Sequence, residues 1–470
     1  MRKTKIICTL GPAVDDEEML KRLIKNGMNV ARFNFSHGTH AEQKVRMDRV
    51  KKVRKELGFP VGILLDTKGP EIRVKEFEEG KVTLVEGQTF TLSTGDFKGN
   101  QEKVALTYSK LADSVDIGTR ILIDDGKIAM NVSAVEGDDV VCTVVNGGVV
   151  SNKKSINIPN VSIPMPYISP VDKADLLFGI EQGVDYIAAS FVRSADDVLH
   201  LRNLLNSNGG EMIRIISKIE NIQGVNAIDE IIEVSDGIMV ARGDLGVEIP
   251  FKEIPVLQKR MIQKCIQKGK IVVTATQMLE SMTHSPRPTR AEVSDIANAV
   301  YDGTTAIMLS GESAAGDYPA EAVKTMADIA ESAEKGINYK QFCIMDMDLP
   351  KDVANAVAIS ACNAANTLNA KAIVALSRSG ATTEIIANYR PECPIISAVI
   401  DERAVRQLNL AFGVLPVQAT EQHFTADLVE YAVRKATETG YVTDGDTIVI
   451  VAGTSRQEGK PSNMMQVHVV

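Results

Sequence analysis

Lys218 and Glu220 stand two residues apart in the stretch RIISKIEN (214–221). In an extended strand, residues i and i+2 point to the same face. A lysine and a glutamate on one face of so apolar a strand admit three readings. A buried structural ion pair is costly in desolvation and weakly stabilising. A Schiff-base amine needs a lowered pKa, which a carboxylate on the same face opposes unless a metal neutralises it. A permanent cation beside a metal-binding carboxylate would stabilise negative charge developing on a substrate, as phosphoryl transfer demands. We favour the third.

Other segments turn polar in the same way. NVARFNFSHG puts Arg32, Asn34 and Ser36 on one parity, and LLDTKGPEIR offers Asp66, Thr67, Lys68 and Arg73. IMVARGDLG gives Arg242 and Asp244, VVTATQM gives Thr274 and Thr276, and IMLSGES gives Ser310 and Glu312. Glu220 and Asp244, expected on neighbouring strands, suit a hard divalent cation such as Mg2+, which takes few protein oxygens; the plainer reading is two salt-bridged acids. Asn34, Ser36, Asp66 and Thr67 form an oxygen-rich group expected around Arg32 and Arg73, and two guanidiniums suggest a bound phosphate. The plainer reading makes Asp66 an arginine partner. In SRSGATT (377–383), Ser377, Ser379, Thr382 and Thr383 supply hydroxyls, Arg378 charge and Gly380 a tight turn. A strand-to-helix turn so equipped suits an anion, unless its threonine merely caps a helix. No Walker A loop and no GxGxxG motif is present, so a nucleotide would be held by scattered cations and metal.

These residues fall at the C-terminal ends of apolar runs: KIICTL (5–10), NVARFNF (29–35), VGILLD (61–66), DYIAASF (185–191), IRIISKIE (213–220), GIMVAR (237–242), KIVVTATQ (270–277) and TAIMLS (305–310). Near-continuous apolar runs mark parallel strands buried on both faces. Helical patterns lie between most of them, including 15–27, 39–58, 172–183, 256–269 and 319–335. The alternation reads as an α/β fold, a (β/α)8 TIM barrel with sites at the strand C-termini; a doubly wound open sheet is the rival. From about 71 to 166 the texture changes to short alternating stretches rich in Val, Thr, Gly and Asp, with EGDD and VVNGG as turns between antiparallel strands. The expected organisation is a catalytic barrel over 1–70 and 167–340, an inserted small all-β domain over 71–166, and a C-terminal α/β domain over 341–470.

The chain has 470 residues, 44% hydrophobic and 24% charged, with a net charge of −9. That balance, without a run of five basic residues, predicts no nucleic-acid partner but leaves room for a local phosphate site. The six cysteines, Cys8, Cys142, Cys265, Cys343, Cys362 and Cys393, are scattered without CxxC spacing, as expected of reduced thiols. The apolar run at the N-terminus is too short for a signal peptide, and none approaches the ~18 residues of a membrane span. A cytoplasmic protein without membrane association is expected.

MNVARFNFSHG, LLDTKGPEIR, IISKIEN, VARGDLGVEIP, ATQMLESM, PRPTRAEVSDIANAV and MLSGESAAGDYP, in this order, closely resemble the pyruvate kinase family, and the resemblance runs the length of the chain. It looks like a bacterial form without N-terminal extension or extra C-terminal domain. The resemblance implies transfer of the phosphoryl group of phosphoenolpyruvate to ADP, giving pyruvate and ATP. It implies that Lys218 stabilises the transition state, that Glu220 and Asp244 bind Mg2+ (or Mn2+), and that Asn34, Ser36, Asp66 and Thr67 bind K+. Arg32, Gly243, Asp244 and Thr276 join Lys218 as substrate contacts, with Thr276 near the carbon that is protonated. Asn34, His37, Arg73 and Lys154 are implied nucleotide contacts, and the β domain resembles the family's closing lid. Glu71 stands where K+-dependent members carry glutamate. SRSGATT, through Ser377, Arg378, Ser379, Gly380 and Thr382, matches an effector site for fructose 1,6-bisphosphate or another sugar phosphate. Ala381 replaces an often basic or polar residue, and Arg456 and Lys460 in GTSRQEGKPSN would be further phosphate contacts. Family precedent implies a homotetramer. PRPTRAEVSDIANAV is either a subunit contact or active-site support.

Overall fold

The computed structural model describes residues 1–339, 348–420, 425–453 and 462–470. Eight parallel strands close into a barrel: β1 (Lys5–Thr9), β2 (Val30–Asn34), β3 (Gly62–Asp66), β4 (Tyr186–Ala189), β5 (Arg214–Ile219), β6 (Gly237–Ala241), β7 (Ile271–Ala275) and β8 (Ala306–Leu309). They follow one another around the ring, with β8 hydrogen-bonded back to β1. The barrel therefore prevails over the open sheet. Its interior is filled by side chains of one parity, among them Ile7, Val30, Leu64, Tyr186, Ile216, Met239 and Val273. The other parity packs outward on the helices, with Ile6, Ile63, Ile215 and Ile219 in that second core. Burial on both faces is why these strands read as continuous apolar runs.

The helices start and stop where the sequence marks them. Thr39 and Glu42 form a reciprocal capping box at the start of the helix His40–Leu57, and Gly58 ends it. Thr289 and Glu292 do the same for the helix Arg290–Asp302.

Between β3 and β4 the chain leaves the barrel to build a seven-stranded sheet and a two-stranded ribbon. This insertion has its own apolar core, with Phe77, Phe90, Ile121, Met130 and Val140. The EGDD turn joins the antiparallel strands Ile128–Glu136 and Asp139–Asn146. VVNGG does not join such a pair: the strand after it, Gly148–Ser151, pairs with Lys81–Leu84 in the ribbon. Gly147 makes the crossing, since a Cβ there would sit 2.4 Å from the Leu84 carbonyl oxygen; its signal is close backbone approach, which a turn mimics in sequence.

Both passages between barrel and insertion meet one carboxylate. Asp172, in the helix Pro170–Gln182, accepts the Gly69 N–H at 3.0 Å through Oδ1. Its Oδ2 accepts the Ser169 N–H at 3.2 Å and hydroxyl at 2.6 Å. Gly69 takes φ +74°, and a Cβ there would lie 2.9 Å from the Ser190 carbonyl oxygen, so the outgoing turn needs glycine. On the return, Arg193 donates to the carbonyls of Ile163 and Met165 at 3.2 and 3.1 Å.

The C-terminal part is a five-stranded sheet in the order Val414–Gln418, Ile395–Val399, Ala372–Ser377, Thr447–Ala452, Met464–Val469, antiparallel only in the last strand. It plugs the bottom of the barrel: Leu410 joins the interior core, and the buried Tyr186 hydroxyl donates to the Gln407 carbonyl. Among the described residues no helix is long and apolar enough to cross a membrane.

Candidate active site

Lys218 is the fifth residue of β5 and Glu220 follows the strand end. Ile216, two residues earlier, lies in the barrel interior, so Lys218 and Glu220 rise on the same parity into the barrel mouth. The ammonium is 3.1 Å from Asp66 Oδ1 and 3.0 Å from Glu220 Oε1. It also donates to Ser190 Oγ at 2.6 Å. All four groups are buried. Burial opposes the charge on Lys218, but Asp66 and then Glu220 outweigh it and raise its pKa. The amine stays protonated, which removes the condition a Schiff-base lysine needs.

Asp66 is shared. Burial opposes its ionisation, yet Arg32 and Lys218 together hold its pKa below the ordinary carboxylate range. Arg32 donates to Asp66 Oδ2 at 2.6 Å and to the Thr9 hydroxyl at 2.7 Å. Asn34 Oδ1 accepts the Ser36 N–H at 3.0 Å, which curls the chain at the end of β2. Thr67 Oγ1 accepts the Ser190 N–H at 3.1 Å. The oxygen-rich residues thus stand at the ends of β2 and β3, where Asp66 is the one bonded to Arg32. Arg73 is not among them: its guanidinium holds Glu71 in a fork at 2.6 and 2.8 Å and donates to the Lys153 carbonyl. It belongs to the edge of the inserted sheet, because β3 ends at Asp66 and the passage at Gly69 carries the following residues away. Lys68 also approaches Glu71, at 3.4 Å.

Asp244 is not on a strand. It lies in the first turn of the helix Arg242–Glu248, which begins as β6 ends. The Gly243 N–H at the same helix start donates to the Thr276 hydroxyl at 2.8 Å. Burial first, and then the charge of Asp244, push the Glu220 pKa up, against the pull of Lys218. Glu220 Oε2 accepts the Phe191 N–H at 2.6 Å. Two carboxylates that repel across a buried mouth fit a divalent cation, which would reverse that repulsion. Among the described residues there is no cage of three or more His, Cys, Asp or Glu, so such an ion would draw its remaining oxygens from water and ligand.

Two strand ends here carry strained backbone. Phe191 takes φ +53°, and Thr276 and Gln277 take +67° and +53°. Left-handed conformations of bulky or β-branched residues cost about 1–3 kcal/mol each and collect at functional sites. At Phe191 the twist aims the N–H at Glu220; at Thr276 it accompanies the contact with Gly243.

A cavity of about 270 Å3 opens between the mouth and the inserted sheet, lined by Glu71, Arg73, Asp124, Lys154, Arg193, Asp244 and Glu248 among others. Lys154 pairs with Asp124 at 2.7 Å. His37 is exposed on the turn after β2.

Several polar strand ends serve structure instead. Thr274 is buried and donates to the Thr304 hydroxyl. Arg242 braces the neighbouring loop through the Thr276 carbonyl and Asp295. Glu312 accepts the N–H groups of Leu279 and Ser310. The PRPTRAEVSDIANAV segment forms the helix Arg290–Asp302, and its Asp295 and Glu292 hold Arg242 and Ser281.

In the C-terminal sheet, SRSGATT runs from the strand Ala372–Ser377 into the helix Ala381–Asn388. The Ser377 hydroxyl accepts the Gly380 N–H at 3.0 Å. Thr382 meets the Ser462 hydroxyl. Thr383 is fully buried against Ser397 and offers nothing to a ligand. Ser379 and Arg378 lie on the same turn; Arg456 and Lys460 fall outside the described residues.

Sequence reasoning passed over Ser190, Asp124 and Asp172. Ser190 carried a signal, being polar and two residues past the interior Ala188.

Residues 1–323 match the family model described as pyruvate kinase, barrel domain, and 355–468 match pyruvate kinase, alpha/beta domain. A pyruvate kinase of Clostridium acetobutylicum is 49% identical over the whole of both chains. One from Staphylococcus haemolyticus is 50% identical over all of this chain and 81% of its own. One from Geobacillus stearothermophilus is 48% identical over all of this chain and 80% of its own.

Proposed function

The chain belongs to the pyruvate kinase family and is a phosphotransferase, and from that premise we propose that Lys218 and its neighbours transfer the phosphoryl group of phosphoenolpyruvate to ADP. The observation that carries this reading is the buried, permanently charged Lys218 ammonium between Asp66 and Glu220 at the barrel mouth. A fixed cation in a water-poor site stabilises the charge spread over a transferring phosphoryl group and the enolate left behind. Arg32, already anchored by Asp66 and Thr9, presents its remaining donors to the phosphate. Gly243, Asp244 and Thr276, joined at one helix start, contact the substrate. Thr276 stands by the carbon that takes a proton. Glu220 and Asp244 would hold Mg2+ or Mn2+, which when bound neutralises phosphate charge. Asn34, Ser36, Asp66 and Thr67 would hold K+, and Glu71 marks the chain as K+-dependent. Arg73 and Lys154, which line the cavity beneath the inserted sheet, receive the nucleotide together with Asn34 and His37 at the end of β2, and residues 71–166 close over it and exclude water.

The turn at Ser377, Arg378, Ser379, Gly380 and Thr382 binds an effector phosphate, and occupancy there activates the enzyme. Fructose 1,6-bisphosphate, ribose 5-phosphate and AMP are the candidates. The enzyme works in the cytoplasm as a homotetramer, with the barrel (1–70 and 167–340), the lid (71–166) and the effector domain (341–470) as its units.

A lactate-dehydrogenase-coupled assay for pyruvate, with Mg2+ and K+ supplied or withheld, tests the reading. Lys218→Met should abolish turnover while Mn2+, followed by electron paramagnetic resonance, still binds. Near-normal turnover by that variant would return Lys218 to a structural ion pair. Undiminished turnover with Na+ alone would remove the K+ assignment. Titration with the three effectors, repeated on Arg378→Glu, tests the regulatory turn: if none changes the phosphoenolpyruvate dependence, the turn is structural.

A further inference from the structure

The Ser190 hydroxyl sits where the catalytic groups meet. It accepts a hydrogen bond from the Lys218 ammonium at 2.6 Å. It lies 3.1 Å from Asp66 Oδ1 and 2.7 Å from the Thr67 carbonyl oxygen. Its own N–H is fixed to the Thr67 hydroxyl at 3.1 Å. The residue is 2% exposed, so each of these bonds is made without competition from water.

Position explains why serine serves. β4 ends at Ala189, and Ser190 stands between the strand and the strained Phe191. On the β3 side the Thr67 N–H donates to the Ala188 carbonyl, so the ends of β3 and β4 are tied together. The Gly69 turn passes close over Ser190: a Cβ on Gly69 would meet the Ser190 Cβ at 3.0 Å. A larger side chain has little room. The lysine, by contrast, reaches the mouth on a four-carbon stem with many rotamers. Two carboxylates attract its charge but do not fix its direction. A third acceptor, anchored by its own backbone and by β3, does.

We propose that Ser190 is a positioning residue for phosphoryl transfer, holding the Lys218 ammonium at one point against Asp66 so that the charge faces the transferring group. This rests on the reading of Lys218 as the transfer lysine. Ser190 takes no proton and forms no bond to substrate; it acts through Lys218. Displacement of a reacting or stabilising group by an ångström costs up to about a hundredfold in rate, and the loss should fall on kcat, since the lysine acts chiefly in the transition state.

The test is a kinetic cycle on the full-length enzyme, using phosphoenolpyruvate, ADP, Mg2+ and K+. The four proteins are wild type, Ser190→Ala, Lys218→Arg and the double variant. Ser190→Ala should lower kcat about tenfold to a hundredfold, with KM for phosphoenolpyruvate within about threefold and thermal unfolding little changed. Because residues acting as one unit are not additive, Ser190→Ala should cost almost nothing further in the Lys218→Arg background. Multiplied losses would show that Ser190 supports the mouth independently of the lysine and would overturn the proposal. A wild-type kcat in Ser190→Ala would do the same. Lys218→Met, run alongside, separates the two claims: if it keeps normal turnover the transfer reading itself fails, whereas if it is inactive and Ser190→Ala is normal only the positioning role fails.

Discussion

Lys218 and Glu220 were legible as chemistry because parity put both on one face, and both rise into the mouth of the barrel. Arg32 was legible for the same reason, and Asp66 and Thr67 as polar residues closing an apolar run. What parity does not carry is partnership across strands. Arg73 and Arg32 read as a pair, yet one is committed to Glu71 and the other to Asp66. Lys5 illustrates a different invisible feature. It opens the apolar run KIICTL, and it is buried under the barrel and donates to the Val414 carbonyl at 2.6 Å. Burial, followed by the nearby Arg2, lowers its pKa to about 7. The folded value lies below the unfolded one, so the fold favours the neutral amine. The stability tied to this group is present above the ordinary lysine pKa of about 10.4 and is lost as pH falls through about 7. Unfolding in urea at a series of pH values should show a steeper rise in stability toward alkaline pH for wild type than for Lys5→Met. Coincident slopes would mean that Lys5 is solvated in the folded chain.

At the scale of elements, the eight barrel strands were legible because burial on both faces leaves near-continuous apolar runs, and the helix limits because capping residues are local. Asp244 shows where this stops. The sequence VARGDLG reads as a strand running into a turn, but the chain bends into a helix as β6 ends and carries the carboxylate there. Hairpins are inferred from glycine and asparagine, so VVNGG was read as a turn when its glycine serves a crossing. At the passages to and from the inserted sheet, the Ser169–Asp172 half of the staple is a local capping box, whereas its bond to Gly69 left no trace in the sequence because it is formed only by tertiary contact. Loss of a buried acceptor that satisfies three donors costs about 1–3 kcal/mol per orphaned group. Asp172→Ala should therefore speed amide hydrogen exchange in 67–71 and 165–170 while exchange within β5 to β7 stays slow. It should also raise KM for ADP more than KM for phosphoenolpyruvate. Unchanged exchange in both passages would assign the staple no role in holding the inserted sheet.

At the scale of the whole molecule, the inserted sheet has an apolar core of its own, apart from those of the barrel and of the C-terminal sheet. The barrel and C-terminal sheet are nonetheless locked together, by Leu410 in the barrel interior, by Gln407 on the Tyr186 hydroxyl and by Arg406 on the buried Asp185. Breaking that buried pair leaves Asp185 with the Ile63 N–H and with Arg54 at 4.0 Å, so the cost should fall below the roughly 3–5 kcal/mol of a fully stranded charge. Arg406→Ala should lower the thermal midpoint and split a single unfolding transition into two by calorimetry; one undivided transition at the original temperature would contradict the coupling.

The inserted sheet stands differently. Its two connections arrive at opposite oxygens of the Asp172 carboxylate, so the chain departs and returns within the width of one side chain. A segment attached in that manner is a cartridge. Cutting after Lys68 and rejoining at Ser169 through a short glycine bridge should leave a shorter chain that still folds into the barrel and its C-terminal sheet, while 70–166 folds on its own around Phe77 and Phe90. An exchange of modules would thus have to rejoin the chain at one place only, beside Asp172.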